Sequence, residues 1–278
     1  MQTGEPSRTA LGAAIYRAHH QLADAGRVFH DPLAVPILGR MPELTDTFFD
    51  RDLHGQVRLL VAARSRFAED ALAEAVAAGT TQAVILGAGL DTFAYRNPHP
   101  RLRVFEIDHP DTQEWKRQRL RDADIAVPAS LTYVPADFEH QTLDQALAAT
   151  DFDPAVPAFV IWLGVTVYLT ESAIQATLHY LGTLAAGSQL VLDYAEPVVP
   201  STPEEHAAAE FRKQRLAQIN ERWLSFFSPE DIAGELHRAG FEVAEDLGPT
   251  ATAVRYAGAA VDTPERPGPH ILRAVVRG

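Results

Sequence analysis

Ala83-Val84-Ile85-Leu86-Gly87-Ala88-Gly89, residues 83–89 of a 278-residue chain, is a four-residue apolar run that breaks into two glycines. An apolar run this short, bounded by a turn, reads as a strand buried on both faces, and the glycines allow a tight strand-to-helix turn with a bare backbone. Similar runs recur at residues 103–107, 131–134, 158–163, 189–192, 242–244 and 271–276, separated by helical stretches. Buried strands alternating with helical crossovers predict a doubly wound α/β fold with a mostly parallel sheet covered on both faces. The glycine turn alone is weak. A dinucleotide fingerprint wants a third glycine where Thr92 stands, and no Gly-Lys-Ser/Thr follows to make a phosphate loop.

Working outward, the chain before residue 81 reads as helical. Residues 9–22 are rich in helix formers, Asp31-Pro32 opens a short segment at 33–38, and residues 56–78 carry apolar side chains near a 3.6 period until Gly79. Thr170 predicts a helix N-cap for a helix running to about 185. Ser228-Pro229-Glu230-Asp231 predicts another that ends at Gly240. Residues 197–227 fit neither strand nor crossover: three prolines lead into a polar helical stretch and the cluster Trp223, Phe226 and Phe227. The segment is either a substrate cap at the strands' C-terminal edge or a surface helical excursion packed for stability, and both readings stay open.

Two further strand ends carry acids. Asp108 closes the second run, 21 residues after Gly87, where a carboxylate can accept from both hydroxyls of a ribose. For Glu106 the reading is a solvated strand-end acid or a helix N-cap. Asp137, after the third run in Pro135-Ala136-Asp137-Phe138, can accept from an exocyclic adenine amine while the neighbouring backbone N–H donates to the ring. Together the three tips outline a nucleoside pocket.

Composition limits the rest. A net charge of −13, from 24 basic and 37 acidic residues, disfavours phosphate backbones and anionic lipid, so the expected partner is a small molecule rather than nucleic acid or a membrane. The basic run Lys116 to Arg121 reads as a solvated helix face. There are no cysteines, which removes thiolate zinc sites and cysteine nucleophiles and is compatible with the cytoplasm, the expected location. No apolar stretch approaches a membrane span or a signal peptide. Monomer and homodimer stay open.

Leu86-Gly87-Ala88-Gly89-Leu90-Asp91-Thr92-Phe93-Ala94-Tyr95-Arg96, Phe105-Glu106-Ile107-Asp108-His109-Pro110 and Gly164-Val165-Thr166-Val167-Tyr168-Leu169-Thr170 together resemble the leucine carboxyl methyltransferase family, in its bacterial branch of small-molecule O-methyltransferases. The resemblance runs from about residue 7 to 272. It implies a Rossmann-like methyltransferase fold, a seven-stranded sheet with an antiparallel last strand, and S-adenosyl-L-methionine as methyl donor. The change of texture at residue 81 divides the chain into a helical N-terminal extension or lid at 1–80 and an S-adenosyl-L-methionine-binding domain at 81–278 with the cap insertion at about 197–227. The family's cofactor arginine falls on Arg64, with Arg66 a close rival. The glycine turn falls on Gly87, Ala88 and Gly89, the ribose acid on Asp108, the adenine-side pair on Asp137 and Phe138, and a basic residue that helps close the site on Arg17. The family often carries Glu before the Gly-Val block; here Leu163 leaves a backbone contact only.

Methyl transfer from a sulfonium is an in-line displacement, in which holding the nucleophile about 3 Å from the methyl carbon supplies much of the acceleration. A carboxylate acceptor needs no base; a hydroxyl wants one. His20, His109, His179 and His206 carry no motif and read as surface or packing residues. Tyr168 and Tyr194 are positioning candidates that read equally as rim packing. The expected activity is O-methylation of a small carboxylate or hydroxyl in secondary metabolism. The rivals are a non-catalytic sensor of the cofactor or a metabolite, an NAD-dependent oxidoreductase, and a Mg²⁺-dependent methyltransferase, for which no carboxylate cluster is evident.

Overall fold

The structure is a computed structural model that describes residues 8–39, 51–137, 141–197, 202, 206–207, 210, 222–260, 262–264 and 266–278, without the side chains of 51–54. Phe138 and most of the 197–227 insertion lie outside the described residues.

Seven strands form one sheet: β1 Gln82–Leu86, β2 Arg103–Asp108, β3 Leu131–Pro135, β4 Ala158–Trp162, β5 Gln189–Ala195, β6 Phe241–Leu247 and β7 Pro269–Val276. Their order is β3-β2-β1-β4-β5-β7-β6. β1 to β5 pair in parallel, and β7 runs antiparallel between β5 and β6. All seven predicted runs are strands. β5 extends three residues beyond its apolar run, because Asp193, Tyr194 and Ala195 pair with Ile271, His270 and Pro269 of β7.

The helices are α1 Arg8–Ala23, α2 Arg51–Ala77, α3 Phe93–Arg96, α4 Pro110–Asp122, α5 Leu143–Ala148, α6 Glu171–Leu181, α7 Pro229–Arg238 and α8 Pro249–Ala257, with 3₁₀ turns at Pro36–Leu38 and Thr166–Tyr168. The caps read from sequence are in place: the Thr170 and Ser228 hydroxyls accept from the N–H groups of Ala173 and Asp231. α6 stops at Leu181, short of the predicted 185. Gly182 lies so close to the Ala239 carbonyl oxygen that a Cβ there would sit 1.7 Å from it, and the chain turns to make that contact.

Strand alternation sorts the core into two layers. Val84, Leu86, Phe105, Ile107, Trp162 and Leu192 face α5, α6 and α7. Ala83, Ile85, Val104, Phe159, Ile161 and Val191 face α2, α3 and α8. Fully buried Phe105 and Phe159 each contribute about 1.5–3 kcal/mol from area removed from water. α2 belongs to the second layer through Ala63, Phe67, Ala71 and Leu72, so the segment before residue 81 contributes directly to the sheet's packing. α1 and the first 3₁₀ turn form a smaller cluster with Leu90 and Leu120 of α4. No helix among the described residues is long and apolar enough to cross a membrane.

The strand order reverses between β1 and β4. Adjacent crossovers from these strands leave in opposite directions, which opens a crevice beyond their C-terminal ends. The candidate residues have to be found there.

Candidate functional site

β1 ends at Leu86, and the chain turns through Gly87 at φ +63° and Gly89 at φ +46°. Both conformations favour glycine, and both positions are crowded. A Cβ on Gly87 would lie 2.5 Å from Cγ2 of Val165, and one on Gly89 would lie 2.8 Å from Cβ of Ala10 in α1. The glycines therefore let the β4 loop and the N-terminal helix close against the turn.

The second tip meets the turn directly. The Ala88 N–H donates to the Ile107 carbonyl at 3.1 Å, and the Gly89 N–H donates to Oδ2 of Asp108 at 2.5 Å. Asp108 Oδ1 accepts from its neighbour His109 at 2.7 Å. Burial raises the Asp108 carboxyl above its ordinary value, and the hydrogen bonds from Gly89 and His109 oppose that shift. Each oxygen keeps a further lone-pair direction for a hydroxyl donor. The Ala136 N–H donates to the Asp108 carbonyl at 2.9 Å, extending the β2–β3 ladder past Pro135, so Asp137 stands at the neighbouring tip. Gly87, Asp108 and Asp137 thus lie on adjacent strand ends at one edge of the sheet.

Arg64 and Arg66 separate clearly. Arg66 is half exposed and pairs with Asp70 one helical turn along α2. Arg64 faces the strand ends: its Nη1 donates to Oδ2 of Asp193 at 2.6 Å, and Nη2 lies 2.8 Å from where a Gly164 Cβ would be. Gly164, at φ +73°, follows β4 and Leu163, and Leu163 packs its side chain partly buried against the α2 layer.

Arg17 is 6% exposed, and its guanidinium is engaged by protein. It donates to the Leu90 carbonyl, pairs with Asp31 at 2.9 Å, and lies 3.8 Å from Asp91. Asp31 also accepts from the Thr92 hydroxyl at 2.6 Å and pairs with Arg96 at 3.3 Å. Thr92, standing where a dinucleotide fingerprint has glycine, is therefore a buried anchor between the turn and the N-terminal segment. Tyr194 is 2% exposed, donates to Asp246 at 2.6 Å and stacks on His270 at 4.8 Å, so its hydroxyl is spent inside the β5–β7–β6 packing. Tyr168 closes the 3₁₀ turn after β4. Residues 222–228 bond to that turn and to the end of β5: the Leu224 N–H donates to the Val167 carbonyl at 2.7 Å, and the Phe227 N–H donates to the Ala195 carbonyl at 3.0 Å.

Two of the four candidate histidines, His20 and His109, have structural partners. His20 is fully buried, with Nδ1 2.9 Å from Asp24 and Nε2 accepting the N–H groups of Val28 and Phe29, while His109 caps α4. Open clefts of about 290 Å³ beside α2 and about 300 Å³ between α6 and α7 include none of the strand-tip residues.

Asp193 escaped the sequence reading, and Glu106 and Lys116, read there as solvated, are instead buried. Glu106 is buried in β2 and pairs at 2.7 Å with Lys116 of α4, itself 1% exposed. Its Oε1 has no hydrogen-bond partner among the described residues, and burial pushes its carboxyl up to about 7. The sequence signal was present in each case, a charge inside an apolar strand or facing one from a basic run, but its partner lay on another element.

Comparison with known proteins adds what geometry alone does not. A sequence model of the leucine carboxyl methyltransferase family matches residues 10–182. A Bacillus subtilis protein assigned as an S-adenosyl-L-methionine-dependent methyltransferase is 30% identical over 90% of both chains. A Frankia alni protein with the same assignment is 34% identical over 86% of this chain and 84% of its own. The magnesium protoporphyrin IX methyltransferase of Synechocystis, solved with S-adenosylhomocysteine bound, is 15% identical and shares the fold at a TM-score of 0.50, covering 96% of this chain and 99% of that one. With its strand order, its glycine turn and these relatives, the chain belongs to the leucine carboxyl methyltransferase family of S-adenosyl-L-methionine-dependent methyltransferases.

Proposed function

We propose that this methyltransferase moves the methyl group of S-adenosyl-L-methionine onto an oxygen of a small molecule, a carboxylate or a hydroxyl, in secondary metabolism. The observation that carries the reading is the hydrogen bond from the Gly87–Gly89 turn to Asp108 beside the tip that bears Asp137, with Arg64 bonded to Asp193 near the end of β5 on the same C-terminal side of the sheet. The donor set fits the cofactor. Asp108 offers acceptors to a ribose diol, Asp137 to an adenine amine, and the Arg64 fork suits the methionine carboxylate. Phe138, Leu163 and Arg17 complete the proposed cofactor set; Arg17 acts by seating α1 beside the turn rather than by offering a free charge.

The bound cofactor supplies an activated methyl group, so the chain's own task is alignment and exclusion of water. The acceptor belongs beyond β4 and β5, where Tyr168 and the 222–228 segment are gathered. Trp223 and Phe226, with ring centroids 5.9 Å apart, favour an acceptor with a flat apolar part. A carboxylate acceptor is already ionised and asks for no base, which suits an edge where His20 and His109 are held by other partners.

Purified protein incubated with methyl-labelled cofactor and a panel of carboxylic acids, phenols, alcohols and amines tests the reading. Label in an alkali-labile ester or in an ether is expected. Transfer confined to amines contradicts the oxygen assignment. Cofactor binding with no transfer to any acceptor, in a screen that includes extracts of the producing cell, favours a sensor.

A further inference from the structure

β5 is an apolar strand with one carboxylate in its upper half. Asp193 lies on the α2 side of the sheet, and its two oxygens are committed to two different elements. Oδ2 accepts from Nη1 of Arg64 at 2.6 Å, and Oδ1 accepts from the backbone N–H of Gly164 at 2.6 Å. Its carbonyl accepts from the Thr166 hydroxyl at 2.5 Å. Both charged side chains are largely buried, 14% exposed for Arg64 and 13% for Asp193. A long arginine on a helix normally samples many rotamers, and an exposed ion pair would do little to restrain it. Here one carboxylate joins the guanidinium to the turn that follows β4, and Gly164 has no Cβ that would push Nη2 away.

We propose that Asp193 is a positioning residue that presents the Arg64 guanidinium to the methionine end of the cofactor, and that it acts only on that end. The proposal rests on the reading of Arg64 given above. Asp193 fixes Nη1, so the remaining N–H groups of the fork are held in one orientation over Gly164 before a ligand arrives. Preorganisation of this kind raises affinity by removing the ordering cost from the binding step. It also keeps a buried guanidinium from standing unpaired when the site is empty.

Two ligands that differ at one end separate this role from a general structural one. S-adenosylhomocysteine carries the amino-acid carboxylate; 5′-methylthioadenosine lacks it and keeps the adenosine. The test is calorimetric titration of both into wild type, Asp193→Asn, Asp193→Glu and Arg64→Ala, with a thermal melt of each. Asp193→Asn is expected to weaken S-adenosylhomocysteine about tenfold, the loss of one charge-assisted hydrogen bond, and to leave 5′-methylthioadenosine within about twofold. Asp193→Glu keeps the charge and is expected to retain most of the discrimination, which keeps the proposal testable should the asparagine variant fail to fold. Equal loss of both ligands, or no loss of either, overturns the proposal. Arg64→Ala tests the reading beneath it: if that variant leaves the ratio of the two affinities unchanged, Arg64 does not meet the methionine end and both ideas fall. If Arg64→Ala collapses the ratio while Asp193→Asn does not, only the positioning role is lost.

Discussion

Gly87 combines two constraints that a single substitution can take apart. Alanine there meets Val165 Cγ2 at 2.5 Å and is also held at φ +63°. Gly87→Ala is expected to lower stability by about 2–4 kcal/mol, combining backbone strain with a close contact. Adding Val165→Ala removes the contact and leaves the strain, so the double variant should recover only part of the loss in a urea titration. Full recovery would show that the positive φ costs nothing at this turn. The turn and its neighbouring acids were legible because each sits at the end of its own apolar run, and a strand end is visible along the chain. Asp193 was not legible. Its partner Arg64 is 129 residues away on another element, and only the sheet's pairing brings α2 over β5. Glu106 and Lys116 are the same case: a run of basic residues on α4 reads as a solvated face until the fold turns one of them inward.

At the scale of elements, α1 is fastened to the glycine turn by a buried ionic chain. Arg17 joins Leu90, Asp31 and Asp91, Asp31 joins Thr92 and Arg96, and Arg96 joins Glu69 of α2 at 2.6 Å. Removing Arg17 leaves Asp31 buried with less than its full complement of positive charge, a loss of about 3–5 kcal/mol when one partner of a buried pair is deleted. Because the chain of contacts ends on the turn, Arg17→Ala should speed amide hydrogen exchange in α1 and at residues 88–91 well before α5 and α6 respond. Uniform acceleration across the sheet would mean that α1 has no separate attachment. Helix starts were legible here, since Thr170 and Ser228 announce themselves by residue type. The end of α6 was not, because the Ala239 carbonyl that stops it arrives from 57 residues further along. Neither α3 nor α8 was anticipated: one is four residues long, and the other opens on Gly248-Pro249 without a side-chain cap.

Across the whole molecule, four largely buried groups hold their protons more tightly folded than unfolded, and between pH 5.5 and 8 they set the direction of the pH dependence, because the lowered carboxyls of Asp24 and Glu235 act at more acidic pH. Burial raises the carboxyls of Glu69, Glu106 and Asp108, Glu106 to about 7. Burial alone would depress His270, but hydrogen bonding and charge from Asp246 and Glu196 outweigh it and raise the imidazole above its ordinary 6.5. For the carboxyls, the unfolded chain releases its protons near 4.5 while folded Glu106 keeps its proton until about 7, so stability falls as pH rises through that window. For His270 the contribution is complete below 6.5 and is lost as pH rises through the raised value. Both trends have one sign. The urea midpoint should be higher at pH 5.5 than at pH 8, Glu106→Gln should flatten the acidic part of the slope, and a higher midpoint at pH 8 would contradict the assignment. The overall fold was legible because seven buried runs and their helical crossovers admit few arrangements. The charged interior was not, because burial is a property of the assembled sheet.

Enclosure of one adenosine moiety by adjacent strand ends is tested most directly by a crystal structure with S-adenosylhomocysteine bound. The expected structure has the ribose hydroxyls on Asp108, the adenine amine at Asp137 and the methionine carboxylate on Arg64, with Arg64 still bonded to Asp193. A ligand seated elsewhere, such as the cleft beside Glu69 and His99, or a ribose that does not touch Asp108, would contradict it.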